Sequence, residues 1–195
     1  MGGSTLLAAT GTLMIVGIAV VSATNYQHRG LPYAKGKSAG RSIRHFRFTY
    51  RYLQLCSIGV SIAALWSDAW WILEIYKNPT LTVIGLLAAL CACAYFVWAK
   101  RSLGDEYSPC FDAYTPFALV TKGPYARVRH PIYTANIALL GALFMASGSL
   151  WLAFNAVVLT IYYVIAAIAE ERELVDAHPD YAEYMAVSGR FLPRF

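Results

Sequence analysis

The sequence predicts an all-α protein of the polytopic membrane class, built as one integral membrane domain over residues 1–195. Two features of composition predict this class: 58% of the residues are hydrophobic and only 14% are charged, which is unusual for a soluble domain. The third observation is that the apolar residues fall into five segments. Each is long enough, or nearly so, to cross a bilayer as a helix of about 20 residues.

The five predicted spans follow from hydropathy and from the short polar turns between them. No Lys or Arg precedes the first segment, which is too long for a signal-peptide core, so we interpret it as a span. The second ends near Asp68, where Trp70 and Trp71 indicate an aromatic belt. Only a turn at Ser147-Gly148-Ser149 separates the last two, which predicts an antiparallel helical hairpin. The predicted spans are about 5–23, 52–66, 81–99, 132–150 and 151–169.

Positive charge is distributed on one side of this five-span topology. All of the 16 Lys and Arg residues except Lys77 fall in the loops after the first and third spans or in the C-terminal tail. The positive-inside rule therefore predicts an outside N-terminus and a cytosolic C-terminus. The basic first loop either meets anionic lipid headgroups or acts only as a topology determinant.

Two polar stretches at the cytosolic ends of the last two spans are candidates for chemistry. The hairpin places the start of one span beside the end of the other, so His130, Tyr133, Glu170 and Glu171 are expected to converge. Adjacent glutamates at the end of an apolar helix repel each other and favour a cationic ligand. Pro131 suits a first helical turn, whose amides form an anion site. A solvated helix end and an interfacial cap are the alternative interpretations.

The motifs in this half of the chain resemble a known enzyme family. They are Gly-Pro-Tyr at 123–125, Arg-His-Pro-x-Tyr at 129–133, Glu-Glu-x-x-Leu at 170–174, Tyr-x-x-Tyr at 181–184 and Arg-Phe-x-Pro at 190–193. Together they are similar to the isoprenylcysteine carboxyl methyltransferases, within the wider group of membrane phospholipid N-methyltransferases. The resemblance implies a cofactor-binding catalytic half over 103–195, preceded by N-terminal spans over 1–102. It also implies S-adenosyl-L-methionine as the cofactor and a lipophilic, membrane-embedded methyl acceptor.

The resemblance assigns roles to individual residues, and the charge distribution predicts that this active site lies at the cytosolic face. Neither a metal nor a nucleic-acid partner is expected. Catalytic roles fall on Arg129, His130 and Glu171, and substrate contacts on Asn136 and Arg190. Neutralising either glutamate is expected to weaken cofactor binding and to leave the fold intact. The implied cofactor-binding residues are Phe117, Ala118, Leu119, Val120, Gly123, Tyr125, His130, Pro131, Ile132, Tyr133, Glu170 and Glu171.

The sequence departs from the family pattern in two places, and two other functions stay open. Prenylcysteine-specific members carry an Arg about one turn before the glutamate pair, where this chain has residues 165–168, Ile-Ala-Ala-Ile. His178-Pro179 stands in place of Phe-Gly. An NADPH-dependent sterol or steroid reductase is one alternative, although residues 131–136 lack its Gly-acid pair. A non-enzymatic membrane scaffold is the other.

Overall fold

The computed structural model describes residues 74–106 and 118–194. Within these two ranges the chain is all-helical, with four α-helices and two short 3-10 turns, Gly104–Glu106 and Gly123–Ala126. The predicted spans 5–23 and 52–66, the basic first loop and Phe117 lie outside the described residues. The α-helices are α1 (Pro79–Leu103), α2 (Pro131–Ser147), α3 (Leu150–Ala177) and α4 (Tyr181–Val187).

Helix α1 contains the whole of the predicted span 81–99 and has clear signals at both ends. The Asn78 side chain caps its start by accepting hydrogen bonds from the amides of Thr80 (3.0 Å) and Leu81 (3.2 Å), and Pro79 occupies the first turn. The helix ends at Gly104, whose φ of 56° favours glycine. With 25 residues of high hydropathy, α1 is long and apolar enough to cross a membrane.

Helices α1 and α2 pack with their backbones close together. A Cβ placed on Gly85 would lie 2.5 Å from the backbone nitrogen of Ala146 and 2.7 Å from the carbonyl oxygen of Ala142. Thr82 reinforces the contact by donating from Oγ1 to the Ala146 carbonyl at 2.9 Å. Such close approach through small residues is typical of helices that pack within membranes.

The turn between α2 and α3 confirms the predicted hairpin and corrects the end of the predicted span 132–150. Helix α2 ends at Ser147, because Gly148 adopts the left-handed conformation (φ 67°) that closes a helix. Leu150 therefore begins α3. With 17 residues, α2 is about 25 Å long, which is shorter than a bilayer core.

Helix α3 continues beyond the predicted span 151–169, through Glu170 and Glu171, to Ala177. Hydropathy marks where the apolar surface ends, whereas the backbone hydrogen bonds continue for two more turns. Pro179 disfavours helical geometry at His178, which is extended (φ −127°, ψ 109°). The His178-Pro179 pair therefore ends the helix. Of the described helices, α1 and α3 are long and apolar enough to cross a membrane; the count of five spans and the orientation remain predictions.

Candidate functional site

The site lies at the end of the helices where α2 begins, and a pairing of two extended segments builds its frame. The amides of Arg129 and His130 donate to the carbonyls of Gly189 (2.8 Å) and Arg190 (3.0 Å), and the Gly189 amide donates to the Arg127 carbonyl (2.9 Å). Thr134 adds a bond from Oγ1 to the Phe191 carbonyl at 2.8 Å. The C-terminal segment is thereby fixed against the Arg-His-Pro motif.

Glu171 is a buried carboxylate held by two arginines. Its side chain is 4% exposed. Arg129 donates from Nε to Oε1 at 2.8 Å, and Arg190 donates from Nη2 to Oε2 at 2.6 Å. Arg129, itself buried, also donates to the carbonyls of Met185 and Ser188. The pair of opposite charges compensates the desolvation of the carboxylate and gives Glu171 a fixed orientation.

His130 lies between the two glutamates and its side chain is 7% exposed. Its Nδ1 is 3.4 Å from Glu170 Oε2, and its Nε2 is 3.3 Å from Glu171 Oε1, without hydrogen-bond geometry at Nε2. Burial opposes the charge on this imidazole, but the two carboxylates outweigh burial and raise the pKa of His130 above its usual value.

Glu170 is the more accessible glutamate, with 30% of its side chain exposed. It accepts a hydrogen bond from the Tyr133 hydroxyl at 3.0 Å. The Tyr133 ring stacks on His130 (centroids 5.3 Å apart) and on Tyr163 (4.9 Å). An aromatic stack from α2 and α3 therefore forms an apolar wall beside an available carboxylate.

The Gly-Pro-Tyr turn is held by α4 and packs against α1. The Tyr184 hydroxyl donates to the Tyr125 carbonyl at 2.5 Å, and burial raises the pKa of Tyr184 to about 12, so this donor stays protonated. Gly123 has a φ of 62°, and a Cβ there would lie 2.6 Å from Ser102 Oγ on α1. The turn needs glycine at this position.

The structure places the other sequence-predicted residues around this frame. Pro131 and Ile132 are buried in the first turn of α2, and Asn136 is partly exposed one turn further along. Ala118 is exposed, whereas Leu119 and Val120 are partly buried, and Val120 packs against the core that includes Tyr125 and Tyr133. Their roles in cofactor or substrate binding stay predictions.

Sequence reasoning missed three contributors to the site: Tyr163, Tyr184 and Ser188. Tyr163 lies two turns before Glu170 on the same face of α3, a spacing that predicts its position. Tyr184 belongs to the Tyr-x-x-Tyr motif, to which no role had been given. Ser188 contributes its backbone carbonyl, which accepts a hydrogen bond from Arg129. Because every residue type has this carbonyl, the sequence does not indicate the role.

Within residues 74–106 and 118–194, no group of three or more His, Cys, Asp or Glu side chains is placed to hold a metal ion. Cys91 and Cys93 are both exposed on α1. The close contacts along α1 are made by Gly85 and Ala89.

Comparison with known proteins relates the described helices to one family. A family model described as phospholipid methyltransferase matches residues 80–180. The chain is 30% identical over 132 residues to the cobalt-zinc-cadmium resistance protein CzcN of Cupriavidus metallidurans, covering 66% of this chain and 54% of that protein. It is 25% identical over 130 residues to the nickel-cobalt-cadmium resistance protein NccN of Alcaligenes xylosoxydans xylosoxydans, with the same coverage. The chain thus spans about half the length of these curated relatives.

Proposed function

The chain belongs to the phospholipid methyltransferase family, and from that membership we propose that it transfers a methyl group from S-adenosyl-L-methionine to a lipophilic acceptor in the membrane. Family membership and the two long apolar helices make the protein membrane-associated. The observation that carries the proposal is Glu170, a partly exposed carboxylate next to the first turn of α2.

The residues present fit the charges of this cofactor. S-adenosyl-L-methionine carries a sulfonium, an amino group and a carboxylate, so it needs a carboxylate partner and an anion site close together. Glu170 supplies the first, and the amides of the first turn of α2 supply the second. Glu171 already accepts hydrogen bonds from Arg129 and Arg190. We therefore propose that Glu171 positions the site and that Glu170 binds the cofactor.

The chemistry that the bound cofactor supplies is an electrophilic methyl group on a positively charged sulfur. The protein's part is to bind, orient and exclude water. The stack of His130, Tyr133 and Tyr163 gives an apolar wall beside Glu170, and the arginine-held frame keeps it rigid. In-line approach of an acceptor to within about 3–3.5 Å then depends on positioning rather than on a strong base.

The acceptor is proposed to be lipophilic because α1 and α3 present large apolar side chains around the membrane-facing surface. Leu87, Leu90 and Ile161 are each more than half exposed. An acceptor dissolved in the bilayer reaches such a surface laterally, while the polar cofactor reaches Glu170 from water. The active site is therefore proposed to face the cytosol, as the charge distribution predicts. The names of the two relatives concern metal resistance and name no methyl acceptor.

Calorimetric titration of the detergent-purified protein with S-adenosyl-L-methionine tests the cofactor assignment. Glu170→Gln is expected to weaken binding about ten-fold or more, because a charge-assisted hydrogen bond contributes about 1.5–3 kcal/mol. Glu183→Gln, an exposed glutamate on α4, is the matched control and is expected to bind like the parent. Equal affinity of the Glu170→Gln variant and the parent would remove Glu170 from the site, and binding of NADPH instead would favour the reductase.

A further inference from the structure

His130 lies between two carboxylates, one at each ring nitrogen. Nδ1 is 3.4 Å from Glu170 Oε2, and Nε2 is 3.3 Å from Glu171 Oε1. A neutral imidazole has one N–H and one lone pair, so one nitrogen would direct its lone pair at a carboxylate oxygen. An imidazolium has an N–H on both sides. The geometry therefore favours a protonated His130.

The two carboxylates differ in how far they depend on a protonated His130 as a positively charged partner. Glu171 is buried and accepts hydrogen bonds from both Arg129 and Arg190. Glu170 is partly exposed and accepts from the uncharged Tyr133 hydroxyl. Among the described residues, His130 is the cationic group that the structure places on Glu170. A cationic ligand at Glu170 would therefore compete with the positive charge of His130 for the same carboxylate.

The groups that face His130 come from every element packed around it. Arg129 precedes it on the same segment, and Phe191 packs against its ring at 6.1 Å. The closest titratable groups are the two glutamates. The charged and titratable groups of the cluster are Arg129, Tyr133, Glu170, Glu171, Tyr181 and Arg190. Glu173 lies one turn beyond Glu170 on α3 and interacts with it electrostatically. A cation that binds at Glu170 is adjacent to the charge of a protonated His130, and this repulsion is relieved when the proton leaves.

We propose that binding of the cofactor's cationic end at Glu170 is coupled to loss of the proton on His130 Nδ1. This coupling rests on the proposed function. The proton passes to water, and the remaining N–H stays on Nε2, which lies 3.3 Å from Glu171 Oε1. A second positive charge within about 4–6 Å disfavours the imidazolium, and the relation is reciprocal, so protonation of His130 weakens cofactor binding to the same extent.

The expected signature is a cofactor affinity that rises with pH. The rise is at most ten-fold per pH unit for one proton and levels off once His130 is neutral in the ligand-free protein. The amino group of the ligand titrates near pH 8. It takes up a proton on binding, whereas His130 releases one. Proton release measured below about pH 7 therefore reports on the protein.

Calorimetry of the full-length protein in detergent, titrated with S-adenosyl-L-methionine from about pH 6 to about pH 9, tests the coupling. Two buffers of different ionisation enthalpy give the number of protons released, expected to approach one below about pH 7. His130→Gln is expected to abolish the release. His178→Gln changes the other histidine of the described residues, at the end of α3, and is expected to keep it.

The outcomes separate this coupling from the cofactor assignment. Binding by the parent with no proton release and a flat affinity profile would overturn the coupling and leave the cofactor assignment standing. Release that disappears in His178→Gln and persists in His130→Gln would also overturn it. If His130→Gln does not bind the cofactor, the number of protons that the parent releases on binding decides. Release that approaches one proton supports the coupling, and no release overturns it. No binding by the parent at any pH would overturn the proposed function, and the coupling with it.

Discussion

Glu171 shows how one residue can hold a site together without contacting a ligand. Its two oxygens are shared by Arg129 on the segment before α2 and Arg190 near the C-terminus. These residues are far apart in sequence, and the carboxylate on α3 joins them. The stack of His130 and Tyr133 depends on this frame, because the backbone of His130 is paired with Arg190.

Glu171→Gln is expected to destabilise the fold, which revises the sequence-based expectation that neutralising either glutamate is harmless. The change leaves Arg129 buried without its charge partner, and breaking a buried ion pair in this way costs about 3–5 kcal/mol. The unfolding temperature of the detergent-purified variant measures the effect. Glu183→Gln, whose side chain is exposed, is the control and should unfold like the parent. An unchanged unfolding temperature in Glu171→Gln would show that the arginines do not depend on it.

The residue scale also shows what sequence could and could not predict. The convergence of His130 and Tyr133 with the glutamate pair follows from a hairpin with a short turn, which consists of Gly148 and Ser149. The Arg129–Glu171–Arg190 network does not, because it depends on how residues 188–191 align with 127–130. That alignment is set by backbone hydrogen bonds, which every residue type can make except proline as a donor.

At the scale of elements, the helix boundaries show which sequence signals are reliable. Asn78 with Pro79, Gly148 and Pro179 each lie at the end of a helix in the structure. Hydropathy alone placed the end of the fifth predicted span eight residues before the end of α3. The apolar surface and the hydrogen-bonded helix have different lengths, and the polar extension of α3 is what presents Glu170 and Glu171.

The contact between α1 and α2 gives a prediction at this scale. Gly85→Ala is expected to destabilise the protein by about 1–3 kcal/mol, since the added methyl group would meet the backbone of α2. Gly141→Ala on α2 is the matched control, because nothing lies within 4 Å of a Cβ there. It should stabilise by about 0.5–1 kcal/mol through helix propensity.

Thermal unfolding of the two variants beside the parent measures both changes in one experiment. The opposite signs are the informative result, because both substitutions add the same methyl group within a helix. If Gly85→Ala were as stable as Gly141→Ala, the helices would not approach as closely as the structure has them.

At the scale of the whole molecule, the described helices bring two kinds of surface together. The sides of α1 and α3 are apolar, as a bilayer requires, and the end where α2 begins collects the arginines, His130 and the glutamates. Composition predicted the class of the protein, because 58% hydrophobic residues exceed what a soluble core of this size needs. The number of spans depends on residues outside the described ranges and stays a prediction.

Methyl transfer into the membrane phase tests the account most directly. The purified protein is incubated with S-adenosyl-L-methionine labelled on its methyl group and with lipids extracted from host membranes, and the label is counted in the organic phase. We expect the parent to transfer label and Glu170→Gln to transfer at least about ten-fold less at limiting cofactor, in line with its weaker binding. An organic phase without label, together with consumption of NADPH by the same preparation, would contradict the assignment and favour a reductase.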